Sequence, residues 1–299
     1  MAERIQHQHC PSCGSVAIQN CLSAKDYTVS NEVFDIWHCE SCSLRFTQAI
    51  PSAEEIGPYY QSTSYVSHSD TNEGLINRLY HLVRNFTLKS KLALLRKVTG
   101  LQTGTLLDVG AGTGAFSNMM ATNGWQVTSL EPDDTARKVA KEKYNLTLQG
   151  PSDLYYLDNN QFDAIAMWHV LEHVHDLQGY LNQFHDILKP NGKLVIAVPN
   201  YTSYDATYYG STWAAYDVPR HLYHFSPQSI DTLANLKGFA VKAYKPMWFD
   251  SFYVSMLSEQ YKNGQGNLVA AFFRGLISNI KTIGNPKKCS SVIYVLGKK

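Results

Sequence analysis

The chain of 299 residues carries 26 Lys and Arg against 25 Asp and Glu, a formal net charge of +1, so no whole-molecule field draws it to nucleic acid or to an anionic membrane. Hydrophobic residues make up 44% and charged residues 17%, which excludes a disordered chain, and the length suffices for one large domain with an accessory piece or for two domains. The first ten residues are polar and contain no apolar signal segment, and no run of about 18 apolar residues follows, so no membrane partner is expected and the cytoplasm is the default location.

The first predicted element is a zinc ribbon over residues 1–50. Cys10-x-x-Cys13 and Cys39-x-x-Cys42 are separated by 25 residues. Without a secretion signal, paired C-x-x-C units read as metal ligands before disulfides. Four thiolates in two close pairs complete the closed tetrahedral shell of a structural Zn²⁺. Pro11, Ser12 and Gly14 supply the tight turn of a knuckle, and Val33, Phe34, Ile36 and Trp37 are strand residues leading into the second pair. A redox dithiol needs one pair at a helix start, not two on a small hairpin. His38 is a conceivable substitute ligand, but four cysteines already fill the shell; Cys21 and Cys289 stand alone.

Residues 51–100 read as linker and amphipathic helices. Pro51, Gly57, Pro58 and the Tyr59-Tyr60 pair mark a connector, and the Ser-, Thr- and Tyr-rich stretch 62–72 is a loop. From 74 to 98, Leu75, Leu79, Leu82, Val83, Phe86, Leu92, Leu94, Leu95 and Val98 recur at helical spacing, with Lys89, Lys91, Arg96 and Lys97 between them. This predicts one or two amphipathic helices packed on the main domain, since an apolar stripe needs a core.

Over 101–299 the pattern alternates. Strands are predicted at 105–109, 126–131, 146–148, 162–167, 193–198, 240–244 and 291–297, with helices at 115–122, 135–143, 177–188 and 227–236. Asp176 caps the 177–188 helix and Lys189-Pro190-Asn191-Gly192 stops it; Ser226 caps the next, with Pro227 at its first position. Residues 251–285 read as a helical insertion broken at Asn263-Gly264-Gln265-Gly266. Strands separated by helices predict an α/β fold, a doubly wound, mostly parallel, seven-stranded Rossmann-like sheet, with the ribbon ahead of it.

The most informative stretch is Leu106-Leu107-Asp108-Val109-Gly110-Ala111-Gly112-Thr113-Gly114. An apolar β-run that ends in a glycine-rich turn makes a ligand crevice at the carboxyl edge of a sheet, and glycines let the backbone approach the ligand closely. The G-x-G-x-G spacing differs from the G-x-G-x-x-G dinucleotide fingerprint, and Asp108 suits an amine-bearing ligand better than a pyrophosphate. Glu131, 23 residues after Asp108, ends the second strand, where a carboxylate accepts hydrogen bonds from ribose hydroxyls, and Pro132 closes that strand. These two stretches resemble the first and second motifs of the class I S-adenosylmethionine (SAM) dependent methyltransferases, a family with a doubly wound sheet. The resemblance implies SAM as cofactor, held by Asp108, Gly110, Ala111, Gly112, Gly114, Glu131 and Pro132. After the third strand, Asp153 is placed either to hold the adenine amino group or to cap a helix. Met167, Trp168 and His169 follow the fourth, where Met and Trp make an apolar wall suited to adenine or the sulfonium methyl.

Trp168-His169-Val170-Leu171-Glu172-His173-Val174 resembles the post-strand-four motif of small-molecule methyltransferases. His169-x-x-Glu172-His173 also matches the zinc signature of inverted metalloproteases, but that site needs both histidines on one long helix, and this run follows a strand directly. No Asn/Asp-Pro-Pro-aromatic tetrad of the base-modifying methyltransferases stands here. Methyl transfer is an in-line displacement whose acceptor sometimes loses a proton, and His169, His173, His221 and His224 lie near the expected crevice. The run Asp217-Val218-Pro219-Arg220-His221-Leu222-Tyr223-His224-Phe225-Ser226 resembles a motif of zinc-ribbon methyltransferases, including sugar C-methyltransferases, which use a histidine in this loop as base. On that likeness His221 is the base and His173 its support, while Tyr216, Tyr223 and Arg220 orient substrate. Tyr201, Tyr204, Tyr208, Tyr209 and Trp213 either line a sugar or ring pocket or pack as an apolar lid.

The readings converge on SAM-dependent methyl transfer to a small molecule such as a sugar or nucleotide sugar. The alternatives are O-methylation of a quinone or phenol, methylation of RNA or protein docked through the ribbon, and SAM binding without catalysis. The few basic residues of the ribbon, Lys25 and Arg45, speak against a nucleic-acid partner.

Overall fold

A computed structural model describes residues 4–61 and 75–299, and the side chains of its first long helix only from Val83 on. The loop expected at 62–72 and the side chains of Leu75, Leu79 and Leu82 lie outside the described residues. Strands β1 (Ile18–Lys25), β2 (Val33–Cys39) and β3 (Arg45–Thr47) come first, then helix α1 (Leu75–Thr99). The alternation continues with β4 (Thr105–Val109), α2 (Ala115–Thr122), β5 (Gln126–Leu130), α3 (Asp134–Tyr144), β6 (Phe162–Trp168), α4 (Leu177–Ile187) and β7 (Leu188–Pro199). It closes with α5 (Tyr204–Tyr209), β8 (Tyr223–His224), α6 (Pro227–Leu236), β9 (Phe239–Pro246), α7 (Asp250–Asn263), α8 (Leu268–Thr282) and β10 (Ser291–Lys298). Among the described residues, one sheet has the order β5-β4-β6-β7-β10-β9 and a second has the order β1-β2-β3-β8. No helix of these residues is long and apolar enough to cross a membrane.

The larger sheet has six strands, not the expected seven. Over 146–148 no ladder forms; Gln149 alone bridges Leu130, and Gly150 and Pro151 turn at once into a 3₁₀ turn over Pro151–Tyr156. Pro151 has no N–H with which to extend the pairing. A second departure concerns Lys189-Pro190-Asn191-Gly192. α4 ends at Ile187, β7 starts at Leu188, and the supposed stop residues lie inside the strand. Leu188 is buried, and Lys189 Nζ lies 2.9 Å from Asp163 Oδ1 of β6, which anchors the strand's start.

The chain forms two compact units, each discontinuous in sequence. The one built around β4 comprises residues 65–168, 182–195 and 297–299. β4 pairs in parallel with β5 and with β6, Val109 standing opposite Leu130 and Met167. The three strands therefore end at one level, and Gly110, Glu131 and Trp168 come off the same edge. Leu106, Leu107, Ala164 and Ile165 are buried, as in a sheet covered on both faces. α1 packs against α2 and buries Leu92 and Leu95, the helical stripe read from the sequence.

The other unit comprises residues 1–64, 169–181 and 196–296. β1 and β2 form an antiparallel hairpin with Ile18 opposite Cys39 and Lys25 opposite Val33. β3 adds to β2, and β8 adds to β3 with Arg45 opposite His224 and Phe46 opposite Tyr223. The Asp26 carboxylate closes the hairpin turn by accepting from the backbone N–H groups of Thr28, Val29 and Ser30. It also accepts from Arg220 Nη2 at 2.9 Å. The fully buried Arg220 donates further to both Asp217 carboxylate oxygens, at 2.7 and 3.1 Å, and to the Tyr59 carbonyl at 2.8 Å. Tyr201, Tyr209, Trp213 and Tyr216 share one buried cluster with Phe34, Ile36 and Val218, so these aromatic residues of the loop are core. α7 stops at Gly264, whose φ of +69° is the left-handed region that favours glycine, and Asn267 caps α8.

Removing Arg220 would leave the buried Asp26 and its neighbour Asp217 without their cation. Arg220→Ala is expected to destabilise the protein by about 3–5 kcal/mol. Arg220→Lys should recover only part of this, because an ammonium cannot reproduce the planar fork. Denaturant unfolding of the two variants measures both effects.

Candidate functional site

The four cysteines of the ribbon converge. Cys10 N–H donates to the Ser15 carbonyl and Gly14 N–H to the Cys10 carbonyl; Cys39 N–H donates to Leu44 and Ser43 N–H to Cys39. The same two-bond knuckle is thus made twice, with Gly14 at φ +74° and Ser43 at +63°. The four Sγ atoms lie within 4.8 Å of one another, with Cys10 to Cys42 at 3.5 Å and Cys13 to Cys39 at 3.6 Å. A tetrahedral shell with Zn–S bonds of about 2.3 Å has edges of about 3.8 Å, so the donor set fits a zinc ion, whereas a disulfide needs about 2 Å. The hydrogen bond between Cys42 and Cys10 draws the Cys10 thiol down to about 5 and pushes Cys42 up, which leaves one thiolate in the pair.

At the end of β4, Gly110, Gly112 and Gly114 have φ of +70°, +55° and +77°, the conformations the alternating glycines exist to supply. A Cβ on Gly114 would stand 3.0 Å from the Ala140 Cβ, while one on Gly112 would meet nothing within 4 Å. The turn is therefore packed on its α3 side and open at Gly112, as a backbone cradle for a ligand requires. Glu131 Oε2 accepts from Gly112 N–H at 2.7 Å and Oε1 from Asp133 N–H at 3.0 Å, which ties the glycine turn to the end of β5. Pro132 follows and α3 begins behind it. Asp108 is buried and accepts from Ser117 Oγ at 2.5 Å. Burial is the main cause that raises its carboxyl to about 6, against the Ser117 bond and the Lys91 charge. Asp153 caps the 3₁₀ turn, its Oδ2 accepting from Gly150 N–H at 3.0 Å. Trp168 stacks edge-on with Phe116, centroids 5.6 Å apart, under Lys91 Nζ at 4.3 Å. The Trp168 indole N–H is buried without an acceptor, a donor left for a ligand.

The histidines of the other unit form a second group. His169 (φ +58°) offers Nδ1 to Glu172 Oε1 at 3.3 Å and Nε2 to Asp250 Oδ2 at 2.8 Å. Burial opposes its charge, but Asp250 and then Glu172 hold the ring at about 10, so it is an imidazolium although 32% of its side chain stays accessible. The 169–173 run makes only a 3₁₀ turn over Leu171–His173, so the long helix of the metalloprotease signature is absent. His173 Nδ1 lies 3.0 Å from the Arg220 carbonyl and 3.1 Å from Tyr60 Oη. Burial, followed by the His221 charge, lowers His173 to about 4. His221 Nδ1 lies 2.8 Å from the Ala215 carbonyl. A carbonyl only accepts, so Nδ1 carries a proton in both rings, and in the neutral form of each the lone pair lies on Nε2. The two rings meet edge-to-face with centroids 4.6 Å apart.

The remaining predicted residues serve this loop's structure. Tyr216 Oη accepts from Arg45 Nη1 at 2.8 Å and its ring packs on Trp213 and His224; burial raises it to about 12. Tyr223 donates to the His175 carbonyl at 3.2 Å. Arg220 is engaged by Asp26, Asp217 and Tyr59. His224 Nε2 lies 3.1 Å from Thr47 Oγ1. Asp250, Tyr60 and Arg45 carry no site signal in the sequence, and Glu172 enters there only through the metalloprotease signature. Glu172 stands inside the 168–174 motif, whereas Asp250 lies far along the chain at the start of α7 and has no local signal.

A family model described as a methyltransferase domain matches residues 81–244, more than half of the chain. The ubiquinone biosynthesis O-methyltransferase of Xanthomonas oryzae is 31% identical over 129 residues, 40% of this chain and 54% of that protein. The demethylmenaquinone methyltransferase of Tropheryma whipplei is 33% identical over 105 residues, 33% of this chain and 44% of that protein. The chain thus spans about half the length of the curated relatives it matches. Among solved structures, the phosphoethanolamine N-methyltransferase 2 of Haemonchus contortus aligns with a TM-score of 0.52 at 18% identity, over 85% of this chain and 62% of that one, a likeness of fold.

The raised Asp108 carboxyl links stability to pH. Its folded value of about 6 exceeds the ordinary 3.8, so its contribution is most favourable below about pH 4 and is lost as pH rises through 6. In the ligand-free protein, Asp108→Asn is expected to gain on the order of 2 kcal/mol over wild type at pH 8 and much less at pH 4.5. Thermal unfolding at the two pH values checks this.

Proposed function

The chain belongs to the methyltransferase-domain family, and from that premise we propose that it transfers the methyl group of SAM to a small molecule, a sugar or nucleotide sugar. The observation that carries the proposal is the glycine turn after β4, left-handed at all three glycines and tied at Gly112 to the Glu131 carboxylate. In this reading Glu131 accepts the ribose hydroxyls, with Pro132 holding its strand end. The backbone of Gly110, Ala111, Gly112 and Gly114 receives the amino-acid part, and Asp108 supplies negative potential behind the turn. Asp153, Trp168 and His169 complete the cofactor set, the Trp168 N–H being the donor without an acceptor. Cys10, Cys13, Cys39 and Cys42 hold a structural zinc ion.

SAM supplies an electrophilic methyl carbon; the acceptor atom bonds to it as the S–CH₃ bond breaks, its electron pair passing to sulfur. The protein's part is to align the acceptor and to take its proton. His221 takes that proton on Nε2, since its Nδ1–H is committed to the Ala215 carbonyl. His173, neutral and oriented by the Arg220 carbonyl, backs the His221 ring. Tyr216 acts through the packing of the same loop. The sugar class rests on the likeness of the 217–226 run to the zinc-ribbon sugar C-methyltransferases. A phenolic acceptor of the quinone type is the second reading, favoured by the ubiquinone-type relatives.

Isothermal titration of the full chain with SAM should show one-site binding, and Glu131→Ala should weaken it about 10- to 100-fold. No heat at millimolar SAM would sink the proposal. With nucleotide sugars and catechols offered as acceptors and products read by mass, His221→Ala should cut transfer by about 10²- to 10⁴-fold while keeping SAM affinity. Unchanged turnover in this variant would remove His221 as base.

A further inference from the structure

The grouping of Glu172, His173 and His221 lies outside the ribbon and carries more than a proton-transfer role requires. A carboxylate oxygen of Glu172 and one ring nitrogen from each histidine lie within 4.8 Å of one another. Both rings donate Nδ1–H to backbone carbonyls, of Arg220 and of Ala215, so the nitrogens left with lone pairs are the two Nε2 atoms. Glu172 is fully buried; its Oε1 is held by His169, and its Oε2 is buried with no hydrogen-bond partner. One potential ligand atom of each of the three residues thus lies near the other two, and the group includes a carboxylate with an unpartnered oxygen. Such an arrangement repels itself and leaves a buried carboxylate oxygen unsatisfied, at a cost of roughly 1–3 kcal/mol or more. A cation at the centre would satisfy all three.

We propose that Glu172, His173 and His221 bind a divalent transition-metal ion, a second metal site in this chain. Two imidazole nitrogens and one carboxylate are the ligand set that leaves coordination positions open, in contrast to the closed four-thiolate shell of the ribbon. The surroundings match what metal ligands require. Each histidine is held through its other ring nitrogen by a backbone carbonyl, and the carboxylate ligand is held by His169, which Asp250 holds in turn. Ligand–metal bonds of about 2.0–2.2 Å ask the donors to close by roughly 1 Å from their present spread. Asp217 Oδ2, 4.0 Å from His221 Nε2, adds negative potential without taking the lone pair. The base role of His221 belongs to the metal-free chain; with the ion bound its Nε2 is a ligand, and an oxygen donor of an incoming molecule, or water, takes an open position. The proposal goes beyond the methyl-transfer reading and needs no acceptor to be known.

Cobalt(II) titrated into the full chain tests it directly. Cobalt in the four-cysteine shell gives intense sulfur-to-metal charge-transfer absorption, while cobalt on two histidines and a glutamate gives only weak visible bands, so one titration separates the two sites. Two equivalents per chain are expected, the second without charge-transfer absorption. Glu172→Gln should weaken that second site by more than about 100-fold and His169→Gln by about 10- to 100-fold, with the thiolate bands unchanged as proof of folding. If Glu172→Gln fails to fold, His173→Asn provides the same readout. A single equivalent in wild type at millimolar cobalt overturns the proposal, as does a second equivalent that survives both ligand substitutions.

Discussion

The buried guanidinium of Arg220 is the interaction on which the histidine-bearing unit depends. Burying that charge with Asp26 is costly, and only complete hydrogen bonding offsets the desolvation. The fork meets Asp26 at the hairpin turn, Asp217 three residues before it, and the Tyr59 carbonyl of the connector. Three stretches far apart in sequence are thereby fixed at one atom group. The consequences reach the chemistry through the backbone. The Arg220 carbonyl sets the His173 tautomer, and the Asp217 carbonyl receives the His221 N–H at 3.0 Å. Replacing the ion pair by apolar side chains would recover burial but lose this positioning.

The ribbon contributes a second constraint on the same loop. β3 runs out of the second cysteine knuckle and pairs with β8, and Thr47 donates its hydroxyl to the His221 carbonyl at 2.8 Å and its N–H to Leu222 at 2.9 Å. His224 therefore lies in a sheet that carries two of the four cysteines near its other strands, and His221 is bonded to it from just ahead of β8. In this unit the ribbon is scaffold to the loop, which explains why its surface needs no excess of basic residues. The four-cysteine cluster and the histidine loop are joined through the pairing of β2 with β3 and of β3 with β8.

What the sequence disclosed follows the range of the interactions involved. β4, α2 and the 227–236 helix were legible to the residue, since a short apolar run, a glycine turn or a Ser-Pro cap determines each locally. The two cysteine pairs were legible for the same reason. The third strand failed because the short Leu146-Thr147-Leu148 stretch carries no information about the Gly150-Pro151 turn that ends its pairing at Gln149. β8 is two residues long and exists only because β3 offers it an edge. Tyr216 and Arg220 were read as substrate-facing from their loop position, whereas their partners, Arg45 for one and Asp26 for the other, lie more than 170 residues away in sequence.

The same division separates the two halves of the chemistry. The residues proposed for the cofactor are attached to strand ends whose register is set by neighbouring backbone, so spacing alone points to them. Asp108, Glu131 and the glycines are fixed by β4 and β5 and by contacts within 25 residues of one another. The residues proposed for the acceptor sit on a loop and a 3₁₀ turn and are positioned by single bonds, long-range for His173 to Arg220 and His221 to Thr47, local for His221 to Ala215. Such contacts leave no periodicity and no fixed spacing. A strand edge can keep one cofactor while the loop contacts are exchanged singly, so local pattern supports the proposed methyl donor, and only three-dimensional placement bears on the proposed acceptor.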